Sequence, residues 1–160
     1  MKILKSKSHS KHVHDFACAL TIYFLSKYGY EASLSDDTRL DIKATHTRSD
    51  RSLGIIVASR TRKVGQEKFP IRVMRDRIAR CRLACQDLQL DPWYSLVTDR
   101  GGSISGFLVS EATLFRYAPL RTSSSFWHVT VAHLEHYRSD DQVVRFELPI
   151  GIENWSALNA

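Results

Sequence analysis

The sequence predicts an α/β fold in which helices sandwich a mixed sheet. Three observations carry this. Residues 13–27 are apolar on most sides, as in a helix covered by a sheet, and Gly29 follows as a stop signal. Three short runs come next: residues 30–34, 40–45 and 52–59. The last of these (Ser-Leu-Gly-Ile-Ile-Val-Ala-Ser) is apolar enough for a central strand buried on both faces. Then Ile71, Met74, Ile78, Cys81, Cys85 and Leu88 recur every three or four residues, the stripe of a second long helix.

Each boundary has its own signal. Ser35-Asp36-Asp37-Thr38 reads as a turn and residues 46–51 as a polar hairpin loop. Pro70 suits a first helical turn, so the second helix is placed over residues 70–88. Residues 93–98 and 103–109 read as a hairpin about Asp99-Arg100-Gly101-Gly102. Ser110 caps a short helix reaching Tyr117. Beyond Pro119 the signals thin: residues 126–131 and 143–148 read as strands, and Asn154-Trp155 as a closing turn. The expected organisation is a loose basic segment over residues 1–12 and one α/β domain over residues 13–160, without internal repeats.

Composition narrows the function classes. A chain of 160 residues that is 43% hydrophobic and 25% charged is ordinary for a globular protein. No apolar run approaches the roughly 20 residues of a membrane span. The N-terminus lacks the apolar region of a signal peptide, and three cysteines do not suggest a disulfide framework, so a cytoplasmic location is expected. The net charge of +6 is concentrated. Residues 60–82 hold nine basic side chains against Glu67 and Asp76, whereas the rest of the chain holds 14 basic and 15 acidic. One stretch therefore carries the whole basic excess, a pattern that attracts polyanions. It also fits a solvated helix face or a surface for an acidic protein partner.

The chemistry-bearing residues lie just before that stretch. Arg39-Leu40-Asp41-Ile42-Lys43-Ala44 sets an acid on one strand, and Ile55-Ile56-Val57-Ala58-Ser59-Arg60 ends the next in a base. With Gly29-Tyr30 closing the first helix, residues 13–117 resemble the restriction-endonuclease-like superfamily named for its PD-(D/E)XK signature, especially small bacterial members. The resemblance implies that superfamily's mixed sheet between helices. It places the signature aspartate at Asp41, the second acid at Ala58 and the lysine at Arg60. A glutamate that many members carry on the first helix falls at Cys18, one turn after Asp15. Only Asp41 keeps its identity, so the resemblance implies a degenerate catalytic site.

Metal-assisted phosphodiester cleavage needs carboxylates to hold Mg²⁺ or Mn²⁺ and a cation to offset phosphoryl charge. Asp41 is the one predicted metal ligand. Arg60 can meet phosphate, but its high pKa unfits it as a base. Asp15, Glu31 and Asp50 are the auxiliary acids that could restore an active site. Arg60, Arg62, Lys63, Lys68, Arg72 and Arg75 form the predicted nucleic-acid surface, with DNA favoured over RNA. Three readings follow: a nucleic-acid-binding protein with a degenerate nuclease site, an active Mg²⁺- or Mn²⁺-dependent endonuclease, or a protein-interaction subunit, with a partner or homodimer compatible with each.

Other constellations are bland. His12 and His14 stand two apart, a poor pair on a helix, and His133 with His136 lacks further zinc ligands. Cys18, Cys81 and Cys85 read as small hydrophobes. Gly101-Gly102-Ser103 lacks P-loop spacing, and Ser123, Ser124 and Ser125 lack a nucleophile elbow.

Overall fold

The structure, a computed structural model, describes residues 7–61, 69–100 and 102–151. Helix α1 (His9–Lys27) leads into β1 (Tyr30–Leu34), β2 (Ile42–His46) and β3 (Ser52–Thr61). Strand β4 (Ile71–Met74) precedes α2 (Arg75–Leu88), and β5 (Asp91–Asp99) pairs with β6 (Ser103–Ser110). Helix α3 (Glu111–Tyr117), β7 (Ser124–Trp127), α4 (Val131–Arg138) and β8 (Val144–Pro149) are the remaining elements among the described residues. The main sheet has six strands in the order β1-β2-β3-β5-β6-β8, and β4 pairs with β7 in a separate ribbon. Among the described residues only β3–β5 is parallel; its neighbours on both sides are antiparallel, which makes the sheet mixed as expected.

Alternation along the central strand explains the layering. Ile55 and Val57 face α1, packing with Ala17, Cys18, Leu20 and Leu25. Ile56 and Ala58 face the opposite layer, where Ile78, Cys81 and Cys85 of α2 meet Leu114, Trp127 and Tyr137. Both faces of β3 are thus buried, as its unbroken apolar run requires. Gly54 is where α2 comes nearest: a Cβ there would stand 2.5 Å from Cys85 Sγ. The cysteines are free and buried, acting as small apolar side chains. Among the described residues, no helix is long and apolar enough to cross a membrane.

Four expectations are corrected. Residues 70–74 do not open the second helix: Ile71 and Val73 point inward and Arg72 and Met74 outward, the period of a strand, and β7 supplies its ladder. The stripe on α2 is accordingly Ile78, Cys81, Ala84 and Cys85, while Met74 and Leu88 are exposed. Helix α1 opens at His9, inside the segment expected to be loose. The strand expected over residues 126–131 runs instead as β7, and Thr130 then caps α4, its Oγ1 accepting from the His133 N–H. Asn154 and Trp155 lie outside the described residues.

Candidate functional site

Asp41 stands immediately before β2, where that strand parts from β3. Val57 of β3 pairs with β5 on one side but lies beyond the last β2 partner on the other, so its backbone groups on that side lack a strand to bond. Side chains take that role. Asp41 Oδ2 accepts from the Val57 N–H at 2.7 Å. The same oxygen accepts from Arg77 Nη2 at 2.6 Å, and Arg77 Nη1 donates to the Val57 carbonyl at 3.2 Å. Carboxylate, guanidinium and peptide group form a closed ring. Arg77 reaches it from the first turn of α2, on the flank of the apolar stripe that also sends Arg80 toward the Thr38 carbonyl.

The other carboxylate oxygen faces α1. His14 Nε2 lies 3.5 Å from Asp41 Oδ1, and Cys18 Sγ lies 3.7 Å from the same nitrogen. Cysteine, histidine and aspartate suggest a nucleophilic relay, but such a relay uses the two ring nitrogens separately. Both contacts here end on Nε2, so the arrangement is a clustered ion pair. Hydrogen bonding to Asp41, and secondarily to Cys18, raises His14 to about 10 against the opposing effect of burial. Burial alone would push the Asp41 carboxyl up. Hydrogen bonds from His14 and the Val57 N–H, together with the Arg77 charge, outweigh it and hold the group below the usual carboxylate range. Asp41 is therefore a carboxylate between two cations, in a corner only 19% exposed.

The predicted partners divide around this corner. Ala58 buries its methyl in the α2-side core. Arg60 is held by its own neighbours: Nη1 donates to the Pro70 carbonyl at 2.8 Å and the guanidinium lies 5.2 Å over the Phe69 ring. Arg72 Nε donates to Ser124 Oγ at 2.6 Å. Arg75 is exposed and opens α2, where the helix dipole disfavours a cation. Arg62, Lys63 and Lys68 lie outside the described residues. Of the auxiliary acids, Asp15 is exposed on α1 beside His14. Glu31 pairs with Thr45 at the far end of β2, about 13 Å along the strand from Asp41. Asp50 lies in the loop beyond that end. Among the described residues, no three His, Cys, Asp or Glu side chains are grouped so as to hold a metal ion. Among the described residues the corner offers Mg²⁺ one carboxylate, and its oxygens already serve Arg77, Val57 and His14, a donor set that does not fit the ion.

Sequence reasoning missed His14 and Arg77. His14 had a usable signal, because it stands one helical turn before Cys18 and so shares its face. Arg77 had none beyond membership of the basic stretch.

The chain is similar in fold to a Holliday junction resolvase, Hjc, from the archaeal hyperthermophile Archaeoglobus fulgidus. The match has a TM-score of 0.51 and 17% identity, covering 74% of this chain and 91% of that one. The fold is restriction-endonuclease-like. No family model matches the chain, and no curated protein does. Asp41 at the start of β2 and the buried Ala58 of β3 stand at the two positions where the sequence reading placed the signature acids.

Proposed function

We propose that this protein binds DNA through the basic surface around Asp41 and that its nuclease-like site is degenerate. The observation that carries the reading is the direct bond between Asp41 and Arg77, which ties the signature aspartate to the helix of the basic segment. Arg72, Arg75 and Arg80 are exposed on the neighbouring β4 and α2, a charged surface suited to a phosphate backbone. The resolvase-like fold supports DNA, including branched DNA, as the polyanion.

Fluorescence anisotropy with a labelled duplex and a labelled four-way junction tests this. Affinity should fall steeply with salt, and Arg72→Ala and Arg75→Ala should each reduce the log–log slope by about 1. No binding at low salt overturns the DNA reading. Cleavage of the same DNA in Mg²⁺ or Mn²⁺, abolished by Asp41→Asn, overturns the degenerate site.

A further inference from the structure

A divalent cation in a protein site takes carboxylate and carbonyl oxygens as ligands. Beside Asp41 one of each converges on a single group, but that group is a guanidinium: Arg77 meets Asp41 Oδ2 at 2.6 Å and the Val57 carbonyl at 3.2 Å. A guanidinium carries five N–H donors in a planar fork. Two are spent on these contacts, and among the described residues the other three have no acceptor. With 36% of its side chain exposed, Arg77 can present that free edge to solvent. His14 flanks the same carboxylate on its other side, so the corner holds more positive than negative charge at neutral pH.

We propose that Arg77 is a resident cation, filling the place of a divalent ion beside Asp41 and seating a phosphate of the DNA backbone without metal. This rests on the DNA-binding reading and adds to it the binding residue and the metal independence. The chemistry is consistent with binding alone. A guanidinium offers charge-assisted bonds to phosphate oxygens, but it has no open coordination position in which to activate water.

The test measures DNA affinity and metal response in parallel, on the full chain. Wild-type affinity should be the same in EDTA and in Mg²⁺ at matched ionic strength. Arg77→Ala should weaken binding about tenfold, the order of one lost charge-assisted phosphate contact, in EDTA as in Mg²⁺. Arg82→Ala is the matched control: it breaks the pair with Glu111 on the opposite flank of α2 and should leave affinity within about twofold. Wild-type affinity for DNA that rises tenfold with Mg²⁺, or an Arg77→Ala variant that folds and binds like wild type, overturns the proposal. Should Arg77→Ala not fold, Mn²⁺ titration of the wild type decides alone. An unchanged melting temperature supports a filled cation position, and a rise overturns it. Absence of any DNA binding overturns the DNA reading instead, and the Mn²⁺ titration still tests the cation position.

Discussion

Two carboxylate–arginine corners lie within a few residues of each other at the entry to β2, and both are anchored on α2. In the first, Asp37 accepts from Arg39 Nε at 3.0 Å and Nη2 at 2.7 Å, and Arg39 Nη1 bridges on to Asp87 at 2.7 Å. In the second, Asp41 accepts from Arg77 and from Val57. The bonds are similar in length and type. Their surroundings are not. Asp37 and Asp41 are equally covered, each 19% exposed, but the first corner runs on to Asp87, which is 59% exposed, whereas Asp41 holds the Val57 N–H of the central strand. The depressed carboxyl at Asp37, brought to about 2 by the Arg39 side chain and backbone N–H, therefore says little about stability, because its partners are two residues away in the chain and Asp87 stays open to water. At Asp41 removal of the carboxylate strands the N–H of the fully buried Val57 away from water. The lesson is that a bond to the main chain of a buried strand, more than the ion pair itself, separates a structural corner from a decorative one.

Deleting the carboxylate should have the largest effect. Asp41→Ala leaves the Val57 N–H and the Arg77 guanidinium without their acceptor, and should cost about 2–4 kcal/mol in urea unfolding. Asp41→Asn keeps an oxygen for Val57 but loses the charge, and should cost about half as much. Fluorescence of the buried Trp127 reports the transition. An Asp41→Ala protein as stable as wild type would erase the distinction between the corners.

The pH dependence sharpens it. His14 is raised from 6.5 to about 10 in the folded protein, so its contribution is complete below 6.5 and is lost as pH rises toward 10. Asp41 is lowered, so its contribution is present above the ordinary carboxylate range and is lost as acid protonates it below 3.8. His14→Ala should thus be less stable than wild type at pH 6, with the gap closing toward pH 10. A third of His14 is open to solvent, which keeps the gap near about 1 kcal/mol. A gap that widens with pH would show that His14 acts as a neutral packing group.

Much of this was legible in the chain. The strands β1 to β3 and the β5–β6 hairpin carry local signals: apolar runs, Gly29 and turn residues at their ends. The position of Asp41 was legible because it opens a short strand beside a wholly apolar one. What escaped depends on contacts distant in sequence. Ile71 and Met74 fit a helical stripe as well as a strand, and only β7, more than fifty residues on, decides between them. Arg77 pairs with a residue 36 positions away, and no local period marks one arginine among the seven between residues 60 and 82. Helix α4 was missed because His133, Glu135, His136 and Arg138 dilute its apolar face to Leu134 and Tyr137.

The smallest effect is expected at the exposed corner, and it is the control that gives the others meaning. Asp87→Ala removes one carboxylate from Arg39 while Asp37 keeps its three bonds to the same guanidinium. No buried main-chain group loses a partner, and both side chains gain rotamer freedom that offsets the lost attraction. The urea midpoint should stay within replicate scatter, and what little coupling exists should vanish at high salt. A double-mutant cycle on Arg39 and Asp87, set beside one on Asp41 and Arg77, puts the comparison on one scale. Equal coupling in the two cycles, with equal salt dependence, would mean that burial against β3 contributes nothing. A larger and salt-resistant coupling at Asp41 would locate the difference in the peptide group that the second corner shields.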